Sequence, residues 1–318
     1  MTPGLKDFRD AAARIEGRVR RTPMFDPRPH GPALDGGAGA RVLLKLECLQ
    51  ASGSFKARGA ANKLASLKPE TARRGLITAS GGNHGLAVAW SAAAAGAPAT
   101  VYLPTSAPTA KADGLRALGA EVITHGAVWD EANMAALEAA SARGLTYVHP
   151  FADPDVIAGQ GTLGLEILEQ APDVDTIIVA IGGGGLISGV ATAAKAAQPG
   201  VRIIGVEPTG APTLYESLKA GELVTLDSIA TSAGTLAPRR SMPLNYEMIA
   251  VAVDKIALVT DPEMRAAARL LWQEFGLAVE LAGAAALAVL MTGRYVPTPD
   301  ETVVLIVCGK GEDGFEGA

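Results

Sequence analysis

The chain has 318 residues, 48% of them apolar and 19% charged, a balance that excludes a disordered chain and supplies a sizeable core. The formal net charge of −5 offers no broad positive field, so neither nucleic acid nor an anionic membrane is expected as a partner. The two cysteines, Cys48 and Cys308, make neither a disulfide framework nor a C-x-x-C metal spacing, and no metal is expected.

In chain order, residues 1–20 lack the apolar core of a secretory signal and read as an amphipathic helix with Ala12, Ile15 and Val19 on one face. The glycine-rich GPALDGGAGA (31–40) reads as a surface turn. From Arg41 strands and helices alternate. Strand-like runs cover 41–47, 75–80, 99–104, 120–126, 175–182, 201–207 and 302–309. Helix-like runs cover 83–95, 109–118, 127–143, 186–197, 262–275 and 282–290. Repeated βα order predicts parallel sheets flanked by helices, an α/β fold. The small-apolar stretch 87–99 is interrupted by Trp90, Ser91, Gly96 and Pro98, too polar to span a bilayer, so a soluble cytoplasmic protein is expected. Residues 145–155 suit a crossing between two lobes. The irregular stretch after Leu223, running to about Asn245 and holding Arg239 and Arg240, suits a functional loop.

Four segments can carry chemistry. In LECLQASGSFKARGA (46–60) a strand ends in a Ser/Gly turn and a helix begins with Lys56 in its first turn. A lysine desolvated at such a junction loses part of its charge and becomes able to form an imine; the plainer reading is a surface lysine behind Ser54 as helix cap. In TASGGNHGLAVAW (78–90) a Ser-Gly-Gly turn opens a helix at Asn83–His84, where free backbone N–H groups bind a carboxylate or phosphate. In IVAIGGGGLISG (178–189) four glycines lie between a buried strand and a helix, an anion nest. Glu207 follows roughly 20 residues on, as a dinucleotide site would have, and a nucleotide-binding module is the rival reading from another class. G-x-G-x-x-G fits in no register, however, because Ile187, Ser188 or Leu186 falls where a glycine is needed, so a single phosphate suits the run better. In VVLIVCGKGEDG (303–314) Cys308 ends an apolar strand, either as an inert buried cysteine or as a neutral partner for a heterocyclic nitrogen.

The set SGSFKARGA, SGGNHG, HPFADPDVIAGQGT (149–162) and GGGGLISG, in this order, resembles the fold-type II pyridoxal-phosphate enzymes, in the serine/threonine dehydratase and serine racemase-like branch, from about Phe8 to Gly314. The resemblance implies a two-lobed fold like that of tryptophan synthase β. Residues 1–49 and 148–318 would form a discontinuous large cofactor-binding domain and 50–147 a small one. It implies pyridoxal 5'-phosphate as cofactor, with Lys56 as its Schiff-base lysine and Phe55 packed near the ring. Asn83 would bond the phenolic oxygen, Gly182, Gly183, Gly184, Gly185 and Leu186 would cradle the phosphate, and Cys308 would face the pyridine nitrogen. Ser80, Gly81, Asn83 and His84 would lie at the substrate carboxylate. The implied activity is dehydration and deamination of L-threonine or L-serine by a homodimer without an appended regulatory domain.

Three departures qualify this. Gly81 stands where racemases place a second serine, so racemisation is the lesser alternative. Thr213 stands where an acid is expected beside Glu207 and Ala211, leaving a poor divalent-metal site. The segment IATSAGTLAPRRS (229–241) and Lys310 differ from the branch near the substrate. Arg239 and Arg240 would suit a second substrate carboxylate, as in 3-hydroxyaspartate; otherwise they form a solvated basic turn.

Overall fold

The computed structural model describes residues 2–28, 34 and 39–315. The turn expected over 31–40 lies largely outside these residues. Strands β1 (Met24–Phe25) and β2 (Arg41–Lys45) come first. Next come β3 (Leu76–Ala79), β4 (Ala99–Leu103), β5 (Glu121–Thr124) and β6 (Thr146–Tyr147), then β7 (Thr176–Ala180), β8 (Arg202–Pro208), β9 (Lys255–Val259) and β10 (Thr302–Ile306). The helices are α1 (Leu5–Ile15), α2 (Lys56–Ser66), α3 (Pro69–Arg74), α4 (Asn83–Ala94), α5 (Thr109–Ala117), α6 (Trp129–Arg143), α7 (Pro154–Gln170), α8 (Gly185–Ala197), α9 (Thr213–Ala220), α10 (Pro243–Ala252), α11 (Asp261–Phe275) and α12 (Leu281–Met291).

Two sheets result. The larger has the order β1-β2-β10-β7-β8-β9, and only β1 runs antiparallel to its neighbour. The smaller, β5-β4-β3-β6, is parallel throughout. The central strands TIIVA and TVVLI are buried at every position, as parallel strands covered on both faces must be. The last strand, β10, is inserted between β2 and β7, with Val303 opposite both Val42 and Thr176. The expected parallel α/β architecture is therefore present. None of the described helices is long and apolar enough to cross a membrane.

The N-terminal helix differs from the expectation. It ends at Ile15 and buries Phe8, Ala11 and Ile15, while Ala12 and Val19 stay partly exposed. The i, i+3, i+7 spacing from Phe8 puts those three side chains on one face, over α7 and α8. There α7 and α8 touch backbone to backbone: a Cβ on Gly189 would lie 2.6 Å from the Gly161 nitrogen.

A buried charge cluster fixes the start of α2. Arg58 donates to both carboxylate oxygens of Glu47 at 2.7 and 2.8 Å, and to Glu166 of α7 at 2.9 Å. Lys45 of β2 donates to the other oxygen of Glu166 and to the Thr22 carbonyl. Each charge taken from water here has an opposite charge within hydrogen-bonding distance, the condition for tolerating it. The cluster ties α2 to β2 and α7, two residues from Lys56.

Candidate active site

A cleft of about 1220 Å³ is lined from both sheets' surroundings. Phe55, Lys56, Ser80, Asn83, His84, Gly182, Gly183, Gly184, Gly185, Leu186 and Cys308 all reach its wall.

Lys56 is the first residue of α2. The chain enters it through Ser52 and Gly53, both in the left-handed region at φ +59° and +83°. The Lys310 side chain lies against Gly53, where a Cβ would come within 2.4 Å of it, and Lys310 is outside the cleft lining. Ser54, the expected cap, makes no capping bond; its hydroxyl is buried without a partner. The Lys56 ammonium donates to the Pro150 carbonyl at 2.6 Å and sits 5.1 Å from the Phe55 ring centroid. Burial pulls its pKa down to about 8, opposed in part by the Glu280 carboxyl. An appreciable neutral fraction at physiological pH is what imine formation and proton abstraction require.

The turn before α4 is arranged by short-range bonds. Ser80 Oγ accepts from the Gly82 N–H at 3.3 Å. Asn83 donates its amide to Glu280 at 2.8 Å. The His84 ring meets the Val148 carbonyl at 2.9 Å, and burial holds its pKa near 3, so it is neutral. The first N–H groups of α4 have no acceptor within the helix. Gly81 is set back from the cleft: a Cβ there would face Leu103 at 3.0 Å and Lys111 at 3.3 Å.

The glycine run forms a cradle with its back to protein. A Cβ on Gly182 would lie 2.5 Å from the Thr235 carbonyl, on Gly183 2.3 Å from the Phe151 ring, and on Gly185 2.8 Å from the Phe151 backbone. Gly184 turns into α8 at φ +93°. The wall therefore presents backbone and the start of α8, an arrangement that binds phosphate. Cys308 leaves β10 into the cleft; burial first, then Glu280, pushes its thiol pKa well up, so it is neutral.

Sequence reading missed Glu280. It stands immediately before α12, a helix with no charged residue, without bonding that helix through its side chain, and burial pushes its carboxyl pKa up to about 7, opposed by the Asn83 bond. A lone acid at the threshold of LAGAAALAVLM is the signal that was there to read. Arg239 and Arg240 do line the cleft, but their guanidinium groups are used within their own loop. Arg239 bonds the Leu226 carbonyl at 2.8 Å; Arg240 bonds the Leu223 carbonyl at 3.0 Å and Thr225 Oγ1 at 2.8 Å. Glu207 accepts from the N–H groups of Leu214 and Tyr215 at 2.9 and 2.7 Å, capping α9. Among the described residues no group of three or more His, Cys, Asp or Glu side chains is placed to hold a metal ion.

Comparison with known proteins accounts for this arrangement. The family model described as "Pyridoxal-phosphate dependent enzyme" matches residues 15–309. The chain belongs to the pyridoxal-phosphate dependent enzymes. It is 42% identical over 303 residues to an L-threonine ammonia-lyase of Geobacter sulfurreducens, covering 95% of this chain and 74% of that one. It superposes on maize serine racemase with a TM-score of 0.92 at 35% identity, covering 98% and 94% of the two chains. A threonine deaminase from T.th. superposes with a TM-score of 0.89 at 37% identity, covering 97% and 98%.

The residues fit the cofactor of a pyridoxal-phosphate dependent enzyme. The glycine cradle suits the phosphate and leaves no room for side chains in its place. Lys56 offers a partly neutral amine, Asn83 an amide, and Cys308 a neutral thiol from the remaining wall. A neutral thiol cannot hold a pyridine nitrogen protonated as a carboxylate does, so a ring placed against it would be a weaker electron sink.

Proposed function

We propose that this cleft eliminates water from the β-hydroxy amino acids L-threonine or L-serine, releasing a 2-oxo acid and ammonia. The observation that carries the reading is the Lys56 amine, its pKa drawn down to about 8, in one cleft with the glycine cradle and the Ser80–His84 turn. The names of the relatives, L-threonine ammonia-lyase and threonine deaminase, support the reaction class. When bound, the cofactor supplies an aldehyde that condenses with the substrate amine and a conjugated ring that draws electrons from the α-carbon.

This chain's residues would do the rest. The N–H groups at the start of α4, with Ser80, orient the substrate carboxylate. Lys56 Nζ would take the α-proton as general base. Cys308 would offer the ring nitrogen a hydrogen-bond partner that stays uncharged. Gly81 has no proton to give, which disfavours racemisation. Because Arg239 and Arg240 are already bonded to carbonyls of their own loop, a monocarboxylate substrate is favoured over 3-hydroxyaspartate. We assign residues 1–49 and 148–318 to the cofactor domain and 50–147 to the small domain, in a cytoplasmic homodimer.

Borohydride reduction followed by tryptic mass spectrometry tests the Schiff base: the Lys56 peptide should carry the reduced cofactor. Release of 2-oxo acid from L-threonine, L-serine and 3-hydroxyaspartate, side by side, tests the substrate. An unmodified Lys56 peptide would sink the first claim, and turnover of 3-hydroxyaspartate alone the second.

A further inference from the structure

We infer that His149 is a substrate-contacting residue that donates a fixed Nε2–H hydrogen bond to the departing β-oxygen. The inference rests on the elimination proposed above. His149 lies on the cleft wall, immediately before Pro150, whose carbonyl holds the Lys56 amine at 2.6 Å.

The hydrogen bonds around the ring settle where its proton is. Nδ1 accepts from two backbone N–H groups, Ala152 at 2.8 Å and Phe151 at 3.2 Å. A nitrogen that accepts two N–H bonds cannot itself carry a proton, so the neutral ring holds its proton on Nε2. The ring stays neutral because burial, and then the Lys56 ammonium, push its pKa down to about 4, with Asp153 pulling the other way. Its orientation is clamped by edge-on contacts with Phe151, at 4.6 Å between centroids, and Tyr147, at 6.3 Å. Nε2 has no hydrogen-bond partner among the described residues and is not a buried orphan, so its N–H is available to the cleft.

The site needs a donor of this kind. Lys56 acts on the α-carbon, and the carbon–oxygen bond that breaks is one atom further on. As that bond breaks, its electron pair goes to oxygen, while the pair of the broken Cα–H bond forms the Cα–Cβ double bond. A neutral imidazole N–H is too weak an acid to surrender its proton. It stabilises the growing negative charge by a hydrogen bond that strengthens toward the transition state, and the proton that makes the leaving group water is the one Lys56 took from the α-carbon.

The test uses the holoenzyme and two leaving groups. His149→Asn keeps an oxygen where Nδ1 accepts the two backbone bonds but cannot reach as far as Nε2. His149→Gln keeps a donor near the Nε2 position. L-Threonine and L-serine leave hydroxide, which needs a donor, whereas β-chloro-L-alanine leaves chloride, which does not. In His149→Asn, kcat on the hydroxy substrates should fall on the order of 10²-fold, with β-chloro-L-alanine within about threefold and cofactor affinity unchanged. His149→Gln should recover part of the loss. An equal fall on both substrate kinds, or a tenfold weaker cofactor, would overturn the inference and leave the ring a structural or phosphate contact. Imidazole ¹⁵N spectra give a reading independent of turnover: Nε2 protonated and Nδ1 bare from pH 6 to 9. A ring that titrates in that range, or carries its proton on Nδ1, also overturns it. Wild-type enzyme that turns over β-chloro-L-alanine but no β-hydroxy amino acid would instead refute the proposed substrate class.

Discussion

Replacing Lys56 by methionine should make the cofactor-free protein more stable at neutral pH. The ammonium is held at a pKa of about 8, against 10.5 for the free side chain, because burial disfavours its charge. A gap of about 2.5 units is a folding penalty of about 3 kcal/mol at pH 7, at about 1.4 kcal/mol per unit. The sign follows from proton counts. Between pH 8 and 10.5 the unfolded lysine still binds a proton that the folded one has released, so wild-type stability rises through that window and the penalty shrinks below about 1 kcal/mol by pH 10. Methionine fills the same space without charge but gives up the bond to the Pro150 carbonyl, worth about 1 kcal/mol. Urea denaturation of both cofactor-free proteins should therefore show the variant ahead by about 2 kcal/mol at pH 7 and level near pH 10. A variant less stable at pH 7, or a gap independent of pH, would refute the argument that the site keeps its lysine under electrostatic strain. Adding cofactor should stabilise the wild type far more than the variant.

Gly185→Ala places a Cβ 2.8 Å from the Phe151 backbone and must displace the cradle, so cofactor titrations should show at least tenfold weaker binding. Arg58→Met leaves the carboxylates of Glu47 and Glu166 buried without their guanidinium and should cost about 3–5 kcal/mol in urea denaturation; adding Glu47→Met should recover part of it. Glu207, buried under α9, has its pKa pushed up to about 8 from 4.5. The folded protein keeps this proton after the unfolded chain has lost it, so stability drains away as pH rises from 4.5 to 8. The melting temperature of Glu207→Gln should accordingly gain on wild type between pH 5 and 8.

The sequence made the strands legible where β-branched residues run unbroken and Gly or Pro bounds them. Each strand expected from 41–47 to 302–309 has its counterpart, generally trimmed at the ends. The helix over 154–170 was not read, because its glycines blur the period of 3.6; they serve close helix crossings instead. β6 and β1, two residues each, are too short to show a pattern. Lys56 and the glycine run could be found because turn chemistry and local order mark them. Glu280 was harder to find, since its role comes from a neighbour distant in the chain: Asn83 lies 197 residues away. Arg239 and Arg240 show the converse: charges conspicuous in sequence that fold back on backbone carbonyls within 17 residues.

The place of β10 in the larger sheet bears on how the protein is made. A ribosome delivers β2 and then β7, yet the strand that joins them emerges after every other described strand. Until it does, β2 and β7 each present an unpaired apolar edge, a template for association with other chains. Cys308 follows that strand directly, and the Ser54–Gly309 and Val279–Lys310 bridges close beside it. Nascent chains stalled before residue 302 hold all four strands of the smaller sheet but lack β10 and Cys308. Completion of the larger sheet is thereby deferred until residues 302–306 have emerged, and a truncation before them becomes a lesion of assembly before it is one of chemistry.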